Sequence, residues 1–473
     1  MKRRIPIVMV LALSFAAVSR AAEKITPLPK DLPPYGPLVA FHAPKAEIKK
    51  LANGLTLWLV PRPGFPKVAL AIAVRGGLAS DPVARPGLSR LLTDTIDQGT
   101  RTRTAKQIAE ELQAAGGDLT GSPSADDLLM ATHVLASKTE AALAVLADIV
   151  QNASFPASEV ALAKRNAADR LRANEASPSF LASRALLKAI FGSNPYSVVS
   201  PTKASIAATT PEELRREFAR RFRPDQALLV AAGDFDADTF RATVEKLFGT
   251  WKAPGLAAAT LPPKPTAENP HGVYLVSRPG SVQTTFMLGA FGPLRGASDY
   301  AAVQVADAIY GGMFGSRLIL NIREDKGYTY SPGSFLQTYR QAGTLETRAD
   351  VRNPVTGASL NEMNYELNRM ATTSPSDDEM THAERYLVGI QGFLFQSQES
   401  VARQLATVWA LGLPSEELEL EGERIPKVTA EEVSQAGRKY FSASRQTIVA
   451  VGEEKVVREQ LAPFGLKIIS VAH

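Results

Sequence analysis

Two apolar stretches with similar surroundings recur about 216 residues apart in the chain. The first, 68–74, has the residue alternation of a β-strand, and the second, 284–290, predicts a matching strand in the other half. Each strand follows the same tripeptide, Arg-Pro-Gly, at 62–64 and at 278–280. The pattern therefore predicts that the two halves begin with equivalent paired strands.

The ends of the two halves match as well. A Thr-x-Glu-Glu sequence at 210–213 and again at 429–432 predicts the start of a helix in each half. Each helix is followed by a short apolar run, 228–232 and 447–451, that predicts a buried strand. These pairs lie 219 residues apart, so the halves differ by only a few inserted residues, and we interpret the chain as an internal duplication.

Strands at both ends of each half with helices between them predict an α+β fold. We expect two homologous domains, each a mostly antiparallel sheet packed with helices. A stretch rich in alanine, proline and threonine joins the halves and predicts an extended linker. The predicted organisation is a signal peptide at 1–21, an amino-terminal arm at 22–45, a first domain at 46–252, a linker at 253–270 and a second domain at 271–473.

The first residues have the pattern of a secretory signal. A basic start precedes an apolar run at 5–18, and a small-x-small site predicts cleavage near Ala21. We therefore expect a periplasmic or secreted protein that leaves the membrane after cleavage. The signal holds four basic residues, so the rest of the chain has 49 basic and 48 acidic residues, and this balance does not favour nucleic-acid binding. The chain has no cysteine, so it has no thiolate metal site.

The segment 87–100 consists of Gly-Leu, an apolar helix and Gly-Thr, and it follows the first predicted strand. This frame, together with the repeat of roughly 220 residues, resembles the pitrilysin and mitochondrial processing peptidase (inverzincin) family. In that family the helix carries H-x-x-E-H, which binds zinc and activates water. The resemblance implies a chain whose two domains form half of a clam-shell chamber.

The metal ligands of the family do not carry over. Arg90, Thr93 and Asp94 stand where H-x-x-E-H has its two histidines and its glutamate. The family has a further zinc-binding glutamate downstream, and the nearest acid in register here is Asp169, in a helix at 159–175. The five histidines are scattered, and no two lie four residues apart. We predict that this chain holds no zinc or other cofactor. Thr120 and Gly121 also replace the Asn-Ala pair with which family members align substrate.

A second signature lies in the other half, at 310–333. Here the pattern predicts a helix that ends at Lys326 with Gly327 as a left-handed cap, followed by a strand. Arg323 would lie in the last helical turn and Tyr330 on the strand, close enough to hold a peptide carbonyl as it becomes an oxyanion. The segment resembles the family signature whose Arg and Tyr bind substrate and assist a zinc site on another domain. The alternative is that Arg323 pairs with a neighbouring carboxylate on the surface and Tyr330 fills a strand position.

These features predict a non-catalytic subunit of a heterodimeric periplasmic zinc peptidase. The chain would be inactive alone and would supply Arg323 and Tyr330, while a homologous H-x-x-E-H partner supplies zinc and water and peptides are the substrates. Homodimers without that partner remain possible. The alternative is a catalytically silent peptide-binding or scaffold protein of the same fold.

Overall fold

A computed structural model describes residues 36–38, 42–266 and 272–471. The predicted signal peptide and most of the predicted arm lie outside these residues. Both halves of the repeat belong to one compact unit, residues 40–473. No helix in the described part of the chain is long and apolar enough to cross a membrane.

The first half forms a six-stranded sheet in which the strands are ordered β1-β2-β6-β3-β5-β4. Only the β2–β6 pair is parallel, and the other four pairs are antiparallel. The predicted strands at 68–74 and 228–232 are confirmed as the two central strands. The strands are β1 Glu47–Lys50, β2 Thr56–Pro61, β3 Lys67–Arg75, β4 Leu119–Pro123, β5 Asp127–Leu135 and β6 Ala227–Gly233.

The second half repeats this arrangement, with the order β12-β7-β11-β8-β10-β9. Its central strands pair as their counterparts do, with a parallel β7–β11 pair followed by three antiparallel pairs. A parallel outer strand, β12, takes the place of the antiparallel β1. These strands are β7 Val273–Ser277, β8 Gln283–Phe291, β9 Gly333–Thr338, β10 Gly343–Arg352, β11 Thr447–Gly452 and β12 Ile468–Val471. The duplication predicted from the sequence is thus present in the fold.

Helices lie between the strands in both halves, as the α+β prediction requires. The first half contains α1 Leu88–Thr95, α2 Ala105–Ala114, α3 Thr139–Asn152, α4 Ala157–Glu175, α5 Pro178–Phe191, α6 Lys203–Ala208, α7 Pro211–Arg221 and α8 Ala237–Phe248. The second half contains α9 Tyr300–Asp307, α10 Arg317–Ile319, α11 Thr356–Thr372, α12 Asp377–Leu394, α13 Gln398–Ala410, α14 Glu417–Arg424, α15 Ala430–Ala436 and α16 Glu454–Leu461. Three π-helical turns follow α9, α10 and α15, at Ala308–Gly312, Leu320–Asp325 and Gly437–Phe441.

The two faces of the first sheet bury different residues. On β3, the large side chains join the core formed with the helices of the same half: Val68, Leu70, Ile72 and Val74. The opposite face of β3 carries Ala69, Ala71 and Ala73 between Lys67 and Arg75 at the ends of the strand, and α13 of the second half packs against these alanines. Small side chains on that face let the helix approach the sheet closely.

A helix of the first half likewise packs against the sheet of the second half. The helix α5 leaves the first half and packs against β8 and β11 of the second sheet, burying Leu186 and Ile190. The helices α5 and α13 occupy equivalent positions in the repeat, about 220 residues apart. Each half therefore covers one face of the other half's sheet, which holds the repeats together as one unit.

Candidate functional site

The helix α1 carries the positions where the family resemblance places metal ligands. Its apolar residues, Leu88, Leu91 and Leu92, are buried and fix its orientation on the core. Thr93 is also buried, and its hydroxyl donates to the backbone carbonyl oxygens of Ser89 and Arg90, at 3.2 and 3.0 Å. Its side chain is therefore used within the helix itself.

An ion pair links α1 to α4 at these positions. The guanidinium of Arg170 on α4 donates to the carboxylate of Asp94 on α1. Burial raises the pKa of the Asp94 carboxyl, and the positive charges of Arg170 and Arg90 oppose that shift. A carboxylate and a guanidinium thus meet where the family resemblance places a metal between the two helices.

Asp169, the residue predicted to be nearest in register to the family's glutamate, takes no part in this contact. It lies on the exposed side of α4, where it pairs with Arg172. Within the described ranges, no group of three or more His, Cys, Asp or Glu side chains is arranged to hold a metal ion. A guanidinium cannot bind a cation and a threonine hydroxyl is a poor zinc ligand, so the residues at these positions do not fit zinc.

The glycines at 116–117 form the predicted helix-to-strand turn between α2 and β4. Thr120 lies on β4, an edge strand of the first sheet. Its hydroxyl oxygen accepts a hydrogen bond of 2.6 Å from Arg403 of α13. The position that aligns substrate in family members is thus in contact with a side chain from the second half.

The second signature begins with the short helix α10 and continues as the π-helical turn Leu320–Asp325. Leu318 and Ile322 are fully buried, as the predicted apolar face requires. Gly327 has a φ of +62°, which confirms the predicted left-handed cap. Close packing below the turn requires another glycine, because a Cβ on Gly311 would lie 2.7 Å from the Cβ of Ser334.

The predicted strand at Tyr330 is wrong, because β9 begins only at Gly333. The segment before it bends at 328 and 330 and forms a single antiparallel bridge between Thr329 and Val351. Thr329 is buried, whereas the next side chain, Tyr330, is 79% exposed. A single bridge next to Tyr330 thus takes the place of the predicted strand.

Arg323 and Tyr330 lie together, as predicted. The guanidinium carbon of Arg323 lies 4.9 Å from the centre of the Tyr330 ring and 4.6 Å from that of the Phe314 ring. Its Nε atom lies 3.2 Å from a carboxylate oxygen of Glu324, so the surface pairing considered as the alternative is also present. Among the described residues, no hydrogen bond, ion pair or ring contact joins this cluster to Arg90, Thr93, Asp94 or Asp169.

Sequence reasoning missed the exposed ring of Phe314 and a buried acid, Asp307. Phe314 is 65% exposed, and the sequence shows only that it lies in a glycine-rich stretch.

Asp307 lies at the end of α9 and accepts a hydrogen bond from the Ser334 hydroxyl. Burial raises the pKa of Asp307 to about 7. It also lines a cavity of about 260 Å³ with Gly312 and Tyr386, and the Tyr386 hydroxyl donates to the Gly312 carbonyl oxygen at 3.1 Å.

Known families and structures agree with this arrangement. A family model described as the insulinase peptidase family M16 matches residues 59–200, and one described as the peptidase M16 inactive domain matches residues 208–387. A protein of Rickettsia felis described as an uncharacterized zinc protease is 27% identical over 405 residues, 84% of this chain and 95% of that protein. YmxG of Bacillus subtilis, with the same description, is 28% identical over 295 residues, 62% of this chain and 70% of that protein.

Two solved structures share the fold over most of the chain. The structure described as a peptidase M16 inactive domain from Pseudomonas fluorescens has a TM-score of 0.79 at 25% identity and covers 86% of this chain and 98% of its own. The structure of a protease from Helicobacter pylori has a TM-score of 0.81 at 15% identity, covering 87% of this chain and all of its own.

Fold and site together define a duplicated, peptidase-like α+β chain whose first helix carries Arg90, Thr93 and Asp94 at the positions of H-x-x-E-H. The chain belongs to the peptidase M16 family, since models of the two domain types of that family match residues 59–200 and 208–387 in succession. The family expected from the repeat and the Gly-Leu frame is thereby confirmed.

Proposed function

We propose that the chain is the non-catalytic subunit of a heterodimeric, zinc-dependent peptidase. In this account Arg323 and Tyr330 bind the substrate carbonyl and stabilise the negative charge that develops on its oxygen. A homologous partner with an intact H-x-x-E-H helix supplies zinc and water. This chain is inactive alone because its own metal positions hold Arg90, Thr93 and Asp94.

The contact between Arg323 and Tyr330 carries the proposal. It places a guanidinium and a phenol side by side on the surface, where a peptide bound between two subunits can reach them. Such donors act most strongly on an oxyanion once a partner excludes water from the site. The Asp94–Arg170 ion pair supports the same division of labour, since it occupies the helix pair that binds the metal in active family members.

The proposed location is the periplasm, and it rests on the signal-like pattern at 1–21. The proposed substrates are peptides, because a carbonyl is the group that the Arg323 donors and the Tyr330 hydroxyl are suited to bind. Zinc belongs to the partner, and no cofactor is proposed for this chain.

The test is reconstitution with a homologous chain that carries H-x-x-E-H. We expect Arg323→Ala to lower kcat/KM for peptide hydrolysis by about 10²-fold or more, the usual effect of removing an oxyanion donor. Tyr330→Phe should have an effect in the same direction, whereas Tyr365→Phe, a matched change at another exposed tyrosine, should have none. Full activity of both site variants in an intact complex would disprove the proposal and favour a silent scaffold.

A further inference from the structure

A buried carboxylic acid of the second half has no role in the proposed function. Asp307, at the end of α9, is 8% exposed, and the Ser334 hydroxyl donates to one of its two carboxylate oxygens. Within the described residues, the other oxygen has no hydrogen-bond partner and Asp307 forms no ion pair. A Cβ on Gly312 would lie 3.0 Å from that second oxygen, so the glycine leaves room beside it. Asp307 is thus a buried acid without a basic partner, an arrangement that costs free energy whenever the acid is charged.

Asp307 lines a cavity whose other walls are largely aromatic. The cavity volume of about 260 Å³ suits a ligand of only a few non-hydrogen atoms, since drug-sized ligands occupy pockets of about 300–1,000 Å³. Among the described residues that line it, Asp307 is the one charged side chain, and Tyr300, Phe335 and Tyr386 are aromatic. The cavity is open to solvent, and Tyr386 is 37% exposed. A small ligand can therefore reach the carboxyl group.

Gln304, one helical turn before Asp307, adds a second unsatisfied acceptor. Its Nε2 atom donates to Glu421, a carboxylate that Arg295 also binds. In the part of the chain that the structure describes, the buried Oε1 atom of Gln304 has no hydrogen-bond partner. Its partial negative charge adds to that of Asp307, and no described lysine or arginine lines the cavity to offset either. The site therefore favours a ligand that carries positive charge and donates hydrogen bonds.

An organic ammonium ion meets these requirements, because it pairs with a carboxylate and is attracted to aromatic rings. We propose that this cavity binds an alkylammonium ion, whose NH₃⁺ group donates to the Asp307 carboxylate and whose alkyl chain lies against the aromatic walls. A calcium or magnesium ion fits less well, because it takes about six or more oxygen ligands and Asp307 is the one carboxylate that lines the cavity. A free amine and the lysine side chain of a peptide share the required chemistry. The site does not depend on the roles proposed for Arg323 and Tyr330.

The experiment measures binding of n-butylammonium chloride to the full chain by isothermal titration calorimetry at pH 8. At this pH Asp307, whose pKa is about 7, is largely ionised in the folded chain, and an alkylamine is still protonated. The neutral n-butanol has the same chain length, and we expect it to bind at least about tenfold more weakly. Acetyl-Gly-Lys-Gly-amide presents the same ammonium group on a peptide. Binding of either cation supports the site, and the tighter of the two identifies the source.

Two substitutions test the two parts of the site. Asp307→Asn removes the charge but keeps an oxygen for the Ser334 hydroxyl, so the fold should be retained, and we expect the affinity for butylammonium to fall about tenfold or more. Tyr386→Leu removes an aromatic wall and should weaken binding about two- to fivefold. The matched controls, Asp169→Asn and Tyr365→Leu, change an exposed aspartate and an exposed tyrosine elsewhere and should leave the affinity unchanged.

The proposal is supported if the native chain prefers the cations to butanol and Asp307→Asn loses that preference. It is overturned if the native chain binds neither cation, if butanol binds as well as butylammonium, or if Asp307→Asn binds the cations as the native chain does. Urea unfolding establishes that the variant is folded. A loss of affinity that Asp169→Asn shares would equally contradict the site, and an unchanged affinity in Tyr386→Leu would contradict the role of the aromatic walls.

Discussion

Arg170 donates to the Asp94 carboxylate and so joins α4 to α1 at the positions where active members of the family hold a metal. The Asp94 side chain is only 20% exposed, whereas that of Arg170 is 51% exposed. A carboxylate so placed depends on its partner, because burial disfavours its charge. The pair therefore has a structural role at a position where the family resemblance places a metal ligand.

Removing Arg170 should destabilise the chain. We expect Arg170→Ala to lower the free energy of unfolding by about 1–2 kcal/mol, because it leaves the Asp94 charge largely buried without its partner. The exposure of Arg170 keeps the effect below that of a fully buried pair. Urea unfolding at pH 7 measures the change.

Arg172→Ala is the matched control on the same helix. Its pair with Asp169 is exposed, so its loss should change the free energy of unfolding by no more than about 0.5 kcal/mol. Equal effects of the two substitutions would contradict the structural role of the Asp94–Arg170 pair.

The purified chain should contain no stoichiometric zinc. The residues at the metal positions are Arg90, Thr93 and Asp94, and the nearby Arg170 adds a further positive charge that opposes cation binding. Elemental analysis measures the metal content, and a chelator should leave the Tm unchanged. One zinc per chain that a chelator removes would contradict this account of the first half.

Ionisation of Asp307 should make the chain less stable as the pH rises. Its folded pKa is about 7, above the ordinary value of 3.8 for an aspartate. Below about pH 4 the carboxyl is neutral in both folded and unfolded chains, and its contribution to stability is fully present. Between about pH 4 and 7 only the unfolded chain ionises, so the free energy of unfolding falls by at most about 1.4 kcal/mol per pH unit. Above pH 7 the contribution is lost.

Urea unfolding of the native chain and of Asp307→Asn from pH 5 to pH 8 isolates this effect. The free energy of unfolding of the native chain, relative to that of Asp307→Asn, should fall from pH 5 to pH 7 and then stay constant. A constant difference for Asp307→Asn would show that this carboxyl ionises normally in the folded chain.

The duplication and the central strands could be predicted from the sequence because they depend on local apolar patterns. The Thr210 and Thr429 helix starts depend on local side-chain capping and are likewise confirmed. The exchange of α5 and α13 could not be predicted, because an amphipathic helix shows that it has a buried face but not which sheet covers it. The alternating alanines of β3 are the sequence feature that reflects the packing of α13 on this sheet, and they can be interpreted only once the partner helix is known.

The site was likewise predicted only where it depends on local sequence patterns. Arg323 and Tyr330 lie together because a short turn at Gly327 reverses the chain, and that turn has a sequence signal. Tyr330 was wrongly assigned to a strand because its segment pairs with β10 only through one bridge, between Thr329 and the distant Val351. The contacts of Phe314 and Arg170 with their partners are also made across separate segments, so no local pattern shows them.

The most direct test of the division of labour is a titration. A fixed amount of a homologous chain with an intact H-x-x-E-H helix is mixed with increasing amounts of this chain, and hydrolysis of a peptide substrate is measured. We predict little activity from either chain alone, and activity that rises until the two are equimolar. The Arg323→Ala chain should form the complex without restoring activity. Full activity of the metal-bearing chain alone, or hydrolysis by this chain without it, would contradict the account.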